Sequence, residues 1–222
     1  MTQQSRQMSR RKALRALGTA AGVLVMAPAS ALTPTARQSL GPFYPTEAPL
    51  TRDSDLTRVS GQADPARGVI ADLRGRVLDG GGRALAGARI EIWQCDLNGV
   101  YRHPRERNLQ RSDPGFQGFG HAVTGQDGGY RFRTIRPAPY PGRTPHIHFA
   151  VFDSERRLLV TQLYVEGEPR NDTDFLYNRL TPEQRQTVTV PFTGSETNGG
   201  FRVNASFDIV ISTGAGATAA LG

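Results

Sequence analysis

Short runs of alternating apolar and polar residues dominate the chain from about residue 67 onward. Residues 88–93 (ARIEIW) and 130–135 (YRFRTI) show the period of two that is typical of strands with one buried face. Glycine-rich segments at 79–82 and 125–129 adjoin such runs and are typical of turns. The pattern predicts about eight strands, and the other clear runs lie at 69–78, 146–152, 158–165, 186–190 and 201–211.

One clear helix signal interrupts this β pattern. Thr181 is followed by Pro182, and a threonine cap with proline at the first helical position is typical of a helix N-terminus. Many short strands with little helix predict an all-β sandwich or barrel. We therefore assign a β-sandwich domain to 67–212, preceded by an irregular segment at 32–66 and followed by a flexible tail at 213–222.

The first 31 residues differ in composition from the rest of the chain. They contain no acidic residue and five basic ones, namely Arg6, Arg10, Arg11, Lys12 and Arg15. A weakly apolar stretch follows and ends in Ala29 and Ala31, which predicts an export signal peptide cleaved after Ala31. The adjacent Arg10 and Arg11 are typical of a bacterial twin-arginine signal, so we expect a periplasmic or secreted protein. A basic, disordered N-terminus is the alternative.

The distribution of charge argues against a nucleic-acid partner. The formal net charge is +7, but five of the 27 basic residues lie in the first 31 positions. The remaining chain holds 22 basic and 20 acidic residues, a net charge of +2, and lacks the strong basic excess of nucleic-acid-binding domains. No segment reaches the roughly 20 apolar residues that span a bilayer, so we expect no membrane span.

The cysteine and histidine residues limit which disulfides and metal sites are possible. Cys95 is the only cysteine, which excludes an intrachain disulfide and a cysteine-based zinc site. His146 and His148 are two apart, so on a strand their imidazoles face the same side, as in many metal sites. Paired structural histidines fit this pattern equally well, and two histidines alone leave a metal short of ligands. Tyr101 and Tyr140 are further candidates, although a lone tyrosine is usually a packing residue.

Five motifs follow one another in a fixed order. They are GVYRH at 99–103, DGGYRFRTIRP at 127–137, PYP at 139–141, RTPHIHF at 143–149 and TQLYVEG at 161–167. This series resembles the intradiol ring-cleavage dioxygenases, most closely the iron-bearing β subunits of protocatechuate 3,4-dioxygenases. The resemblance covers roughly residues 40–211. It implies an all-β, intradiol-dioxygenase-like sandwich of about eight strands, with long active-site loops and a site between the sheets and these loops.

The resemblance also implies a non-haem Fe(III) cofactor. Its ligands would be two tyrosinates and two histidines, which correspond to Tyr101, Tyr140, His146 and His148. The implied reaction uses O2 to cleave a catecholic ring between its two hydroxyl-bearing carbons, giving a cis,cis-muconate-type diacid. In the family the tyrosinate that corresponds to Tyr140 leaves the metal as substrate binds and can take a proton.

Two further residues receive roles from the same resemblance. Arg143 corresponds to an arginine that stabilises negative charge on the substrate, and Gln162 to a glutamine that tunes the metal without binding it. Trp93 and Tyr44 are candidates for the pocket wall.

A protocatechuate-like aromatic diol is the expected substrate, and the resemblance is compatible with a homo-oligomer or a partner subunit. Four arginines of the loop after Tyr101 are candidates to pair with a substrate carboxylate, namely Arg102, Arg105, Arg107 and Arg111.

Two other functions stay open at this point. The segments GRVLD at 75–79 and AGARI at 86–90 resemble transthyretin-like β-sandwich domains, which bind ligands without catalysis. A periplasmic copper or zinc protein would use the His146–His148 pair without the tyrosines. Charge transfer from tyrosinate to ferric iron would colour the protein red and would separate the iron enzyme from both alternatives.

Overall fold

The computed structural model describes residues 31–45, 53–197 and 200–212. Within these ranges the chain forms ten strands, one α-helix (α1, Pro182–Gln186) and three short 3-10 helices. The strands are β1 (Ile70–Asp79), β2 (Arg89–Trp93), β3 (Phe119–Val123), β4 (Gly129–Ile135), β5 (His146–Asp153), β6 (Arg156–Val165), β7 (Thr189–Val190), β8 (Thr193–Thr197), β9 (Gly200–Ser206) and β10 (Ile209–Ile211). The predicted signal peptide, apart from Ala31, and the predicted tail lie outside the described residues, where those two predictions stay untested.

The strands form two five-stranded sheets in the described part of the chain. In the first, β1 pairs antiparallel with β4 and parallel with both β9 and β10, and β8 pairs with β9. The second has the order β3-β2-β5-β6-β7, antiparallel except for the last pair. Side chains from both sheets share one buried cluster, including Leu73, Ile92, Phe149, Leu163 and Ala205. The predicted all-β sandwich is therefore confirmed.

The strands differ from the prediction in four main ways. Strand β3 was not predicted. A Cβ at Gly120 in this strand would lie 2.5 Å from Leu56 Cδ1, so the close packing there requires a glycine. Strand β8 was missed as well, and the run 201–211 is interrupted at Phe207, whose N–H donates to the Arg74 carbonyl at 2.8 Å. Only β7 forms within the predicted 186–190 strand, because α1 extends to Gln186.

The predicted start of α1 is confirmed. The Thr181 hydroxyl accepts from the Gln184 N–H at 3.3 Å, and the Gln184 side chain accepts from the Thr181 N–H at 3.0 Å. This reciprocal capping box satisfies two backbone donors that a helix end leaves without partners. No helix in the described residues is long and apolar enough to cross a membrane.

The two faces of β5 serve different purposes. Ile147, Phe149 and Val151 point into the core between the sheets. His146 and His148 alternate with these residues along the strand and therefore face away from that core. A second buried cluster covers this outer face and includes Trp93, Tyr101 and Ala138. The side chains of the predicted site thus lie on the outer face of the second sheet, between that sheet and the loops that cover it.

Candidate metal centre and active site

Cross-strand register places three of the side chains in one row. Trp93 of β2 is paired with His148 of β5, and His148 is paired with Gln162 of β6. Directly opposed residues in antiparallel strands have their side chains on the same face. The Trp93 indole stacks on the His148 imidazole with centroids 4.8 Å apart and an interplanar angle of 6°. This stacking fixes the plane of the His148 ring.

The two histidines converge on a common point. Their Nε2 atoms lie 3.2 Å apart, and both residues are 1% exposed. The Nδ1 atom of His146 lies 2.6 Å from the Thr144 carbonyl oxygen. Because that oxygen can only accept, Nδ1 carries the proton and Nε2 keeps its lone pair.

Both imidazoles are neutral. Burial, reinforced by the charge of Arg143, lowers the pKa of His146 to about 3. Burial and the charges of His146 and Arg143 also lower the pKa of His148 well below its usual value. Neutral imidazole is the form that binds a metal ion, so the pair is ready to act as a ligand.

Tyr101 lies on the loop after β2 and is 2% exposed. Its ring centroid is 6.3 Å from that of His148, and its buried hydroxyl has no hydrogen-bond partner within the described part of the chain. Burial raises the pKa of Tyr101 well above its usual value, so the phenolate needs a compensating cation. An unpartnered buried hydroxyl is costly, and coordination to a metal would remove that cost.

Tyr140 completes a closed cycle of four rings. Its centroid lies 5.4 Å from Tyr101 and 5.6 Å from His146, and the His146 and His148 centroids are 4.8 Å apart. Tyr140 is only partly buried, and its hydroxyl accepts from Arg143 Nη1 at 3.3 Å. Burial raises the pKa of Tyr140, while the charge of Arg143 opposes that shift. The two tyrosines therefore differ, because Tyr140 lies at the edge of the site with a charged partner.

Arg143 is a fixed cation beside these rings. It is 8% exposed, its Nη2 donates to Gln162 Oε1 at 2.6 Å, and its Nε donates to Asp174 Oδ2 at 2.8 Å. Gln162 Oε1 also accepts from the Tyr164 hydroxyl at 3.2 Å. Gln162 thus accepts from Arg143 and lies beside His148 as its cross-strand neighbour.

The segment 32–45 crosses the outer face as an ordered strap. The Gln38 N–H donates to the Val160 carbonyl at 2.9 Å, and the Phe43 ring stacks on Tyr101 with centroids 4.5 Å apart. At Gly41, φ is +75°, and a Cβ would lie 3.1 Å from Cε1 of His148. A glycine is needed where the backbone passes this close to the imidazole. The strap separates the rings from solvent.

An open cavity of about 480 Å³ lies beside Tyr140. Its walls include Gly142, Arg143, Arg170 and Thr173. A Cβ at Gly142 would meet nothing within 4 Å, so this wall of the cavity is open. The four arginines expected to meet a carboxylate are exposed, and none contributes to this described cavity wall: Arg102, Arg105, Arg107 and Arg111.

The structure brings the predicted site residues together, while their chemical roles stay predictions. All six lie in the contact network just described: Tyr101, Tyr140, Arg143, His146, His148 and Gln162. Sequence reasoning missed Asp174 and Phe43. Asp174 follows a 3-10 segment that has no periodic pattern, and Phe43 was visible only as part of a proline- and glycine-rich run.

The donor set fits a ferric ion. Among the described residues, no group of three or more His, Cys, Asp or Glu side chains could hold a metal. A metal at the histidine pair would therefore take its other protein ligands from the neighbouring phenol oxygens. Anionic oxygen and imidazole donors suit iron, and Tyr101 already presents a buried hydroxyl that lacks a partner.

Comparison with known proteins agrees with this architecture. A family model described as Dioxygenase matches residues 40–213. The chain is 33% identical over 183 residues to the protocatechuate 3,4-dioxygenase beta chain of Burkholderia cepacia, covering 79% of this chain and 78% of that one. It is 31% identical over 196 residues to hydroxyquinol 1,2-dioxygenase of Nocardioides simplex, covering 77% of this chain but only 62% of that one.

A solved structure gives the same result. The dioxygenase domain of a dioxygenase carbohydrate-binding protein fusion from Streptomyces sp. SirexAA-E aligns with a TM-score of 0.62 and 32% identity. The alignment covers 82% of this chain and 100% of that domain. The fold and these matches define a dioxygenase. The chain belongs to the intradiol ring-cleavage dioxygenase family, and a non-catalytic transthyretin-like domain is not favoured.

Proposed function

We propose that this protein is a non-haem Fe(III) intradiol dioxygenase whose substrate is a protocatechuate-like aromatic diol. The observation that carries the proposal is the closed cycle of Tyr101, Tyr140, His146 and His148, with a buried tyrosine hydroxyl that lacks a partner among the described residues. Ferric iron held by these residues would supply a Lewis acid to which both oxygens of a catechol could bind, which makes the ring reactive toward O2.

The site residues have different roles in the proposed reaction. His146, His148 and Tyr101 are buried and fixed, so they are suited to hold the metal throughout the reaction. Tyr140 lies at the cavity edge, where its phenolate would serve as an exchangeable ligand that accepts a proton from an incoming catechol and becomes a neutral phenol. Arg143 offers a fixed positive charge where negative charge develops on the ring. The strap excludes water from the ligand side.

The cavity supports a substrate that carries a negatively charged substituent. Arg170 lines it beside Gly142 and Arg143, and its Nη1 is paired with Glu168 at 3.0 Å. A substrate carboxylate could share the guanidinium, which binds planar anions well. The similarity to the Burkholderia cepacia beta chain favours protocatechuate over catechol and hydroxyquinol. We also propose that the twin-arginine signal delivers the enzyme to the periplasm or beyond the cell.

Oxygen uptake by the iron-loaded protein tests the function. Protocatechuate, catechol, hydroxyquinol and chlorinated catechols are supplied separately, and the products are identified by mass and ultraviolet spectrum. We expect both atoms of O2 to be incorporated into a muconate-type product. We expect the highest kcat/KM with protocatechuate. The matched control is the His146→Ala/His148→Ala double variant, which we expect to be inactive and colourless. A fully iron-loaded wild-type protein that cleaves none of these rings would exclude the proposed function.

A further inference from the structure

Asp174 is a fully buried carboxylate with four N–H donors. Its Oδ1 accepts from the backbone N–H groups of Leu176 at 3.0 Å and Tyr177 at 2.9 Å. Its Oδ2 accepts from Arg143 Nε at 2.8 Å and from the Thr144 N–H at 2.9 Å. Both oxygens are therefore occupied, and the carboxylate ties two loops together. The side chain of Asp174 is 0% exposed, so these bonds do not compete with solvent.

The first consequence of this arrangement concerns Arg143. Asp174 fixes Nε, Gln162 fixes Nη2, and the remaining Nη1 is directed at the Tyr140 hydroxyl at 3.3 Å. A guanidinium is planar, so two fixed nitrogens determine where the third one lies. Without Asp174, Gln162 alone would hold the group and Nη1 could rotate away from Tyr140.

The second consequence concerns His146. The Thr144 N–H donates to Asp174, while the Thr144 carbonyl accepts from Nδ1 of His146 at 2.6 Å. The Thr144 side chain is also fixed, because its hydroxyl donates to Asn171 Oδ1 at 2.8 Å. One carboxylate thus holds the residue that sets the tautomer and orientation of His146.

We propose that Asp174 is a positioning residue of the active site, which acts through Arg143 and Thr144 on Tyr140 and His146. Asp174 borders the cavity beside Tyr140, but its carboxylate is 0% exposed and bonded to the protein's own donors, so it acts through these partners. The inference rests on the proposed function for its kinetic readout, but its spectroscopic readout does not need turnover. Arg143 and Asp174 are separated by 31 positions and belong to different loops, so their pairing is a property of the folded site.

Asp174→Asn is the most direct test because it keeps size and shape while removing the charge. The carboxamide can still accept from Leu176 and Tyr177, but its NH2 group then faces two donors, Arg143 Nε and the Thr144 N–H. Loss of groups that orient a metal ligand typically costs 10–100-fold in activity or metal affinity. We expect kcat per bound iron to fall by about 10–100-fold, with KM changed by less than about threefold, since Arg143 acts on developing charge.

The visible absorption of the resting iron protein gives an independent readout. The Arg143 hydrogen bond acts on the Tyr140 oxygen, so loosening the guanidinium should shift the tyrosinate-to-iron band. The matched control is Asp113→Asn, which removes another buried carboxylate that accepts backbone N–H bonds, from Arg67 and Gly115, but touches none of the site residues. We expect the control to lower thermal stability while leaving the band and kcat per iron at wild-type values.

A double-variant comparison tests the route through Arg143. If Asp174 acts through the guanidinium, Asp174→Asn should add less than about threefold to the loss in kcat caused by Arg143→Ala. Full multiplication of the two losses would overturn this route. A folded, iron-loaded Asp174→Asn protein with wild-type kcat and an unshifted band would overturn the inference while leaving the proposed function intact.

A second variant keeps the inference testable if the Asp174→Asn protein does not fold. Asp174→Glu keeps the buried charge but moves the carboxylate by one methylene, which displaces the guanidinium. We expect it to fold with a shifted band and a reduced kcat per iron, and wild-type values for both would overturn the inference. An inactive wild-type protein would refute the proposed function instead, and the band comparison would still decide the role of Asp174.

Discussion

His146 and His148 face each other through Nε2 atoms that lie 3.2 Å apart in a region closed to solvent. Nδ1 of His146 donates its proton to the Thr144 carbonyl, so the Nε2 lone pair of His146 needs either a proton from His148 or a cation. Nδ1 of His148 is buried with no partner among the described residues, so in the metal-free protein the His148 proton is better held at Nε2, where it can bond to Nε2 of His146. A metal held by both histidines would replace this contact with coordination by both imidazoles.

Removal of iron is therefore expected to destabilise the fold. A ligand at 100 times its Kd stabilises a protein by about 2.7 kcal/mol, and each kcal/mol shifts Tm by about 2–4 °C at this chain length. Treatment with a chelator should lower Tm by about 5–10 °C, and added Fe(III) should restore it. Calorimetry checks the shift. The His146→Ala/His148→Ala variant should show no response to iron, and an equal response there would place the metal elsewhere.

The two tyrosines should respond differently to loss of their hydroxyl groups. Tyr101→Phe removes a buried hydroxyl with no alternative partner, so the iron-loaded protein should lose most of its visible absorption and much of its iron. Tyr140→Phe removes a hydroxyl at the cavity edge that Arg143 already contacts, so iron should be retained while substrate binding slows. Iron analysis, absorption spectra and stopped-flow binding check both variants. Equal iron loss in the two would contradict the different roles assigned to them.

Arg170 should contribute to substrate choice. Its side chain is 60% exposed, so a hydrogen bond to a substrate carboxylate is screened by solvent and contributes about 0.5–1 kcal/mol. Arg170→Ala should lower the ratio of kcat/KM for protocatechuate to that for catechol by about two- to fivefold. Arg107→Ala is the matched control, because it removes an exposed arginine outside the cavity. A change in the ratio with Arg107→Ala and none with Arg170→Ala would instead place the binding site for the substrate carboxylate in the loop after Tyr101.

Gly41→Ala should damage both the backbone and the metal site. A left-handed backbone costs a residue with a Cβ roughly 1–2 kcal/mol, which lowers Tm by about 2–8 °C. Here the new Cβ would also lie 3.1 Å from Cε1 of His148, so iron affinity should fall as the ring is displaced. Gly167→Ala provides the control, since φ is +71° there and a Cβ meets nothing within 4 Å. Comparable loss of Tm in both, with loss of iron only in Gly41→Ala, is the expected result.

Export should depend on the paired arginines. Replacing Arg10 and Arg11 by lysine keeps the charge but removes the two guanidinium groups that a twin-arginine signal requires. The precursor should then stay in the cytoplasm, as measured by cell fractionation and immunoblotting. Replacing Arg6 and Arg15 by lysine is the control and should leave delivery unchanged. Periplasmic protein at wild-type levels from the Arg10 and Arg11 variant would exclude this export route.

The sequence by itself determined the fold class and much of the site. Period-two alternation in segments such as 88–93 and 130–135 is a local consequence of the strand geometry, so it could be recognised without tertiary contacts. The His146–His148 spacing placed both imidazoles on one face for the same reason. The cap at Thr181 was also local, because both of its hydrogen bonds lie within three residues.

Only the tertiary structure decided which face of the sheet carries the site and what surrounds it. Both faces of β5 are buried apart from its last residue, so burial of the strand could not separate the core side from the ligand side. Asp174 meets Arg143 across 31 positions, and Gly41 meets His148 across a longer separation, contacts that no local pattern encodes. Strand β3 was missed, and the close approach of its Gly120 to Leu56 exists only after folding. Short-range patterns determine backbone geometry. The residues that contact and orient the site side chains, such as Asp174 and Gly41, lie on loops that meet only in the folded protein.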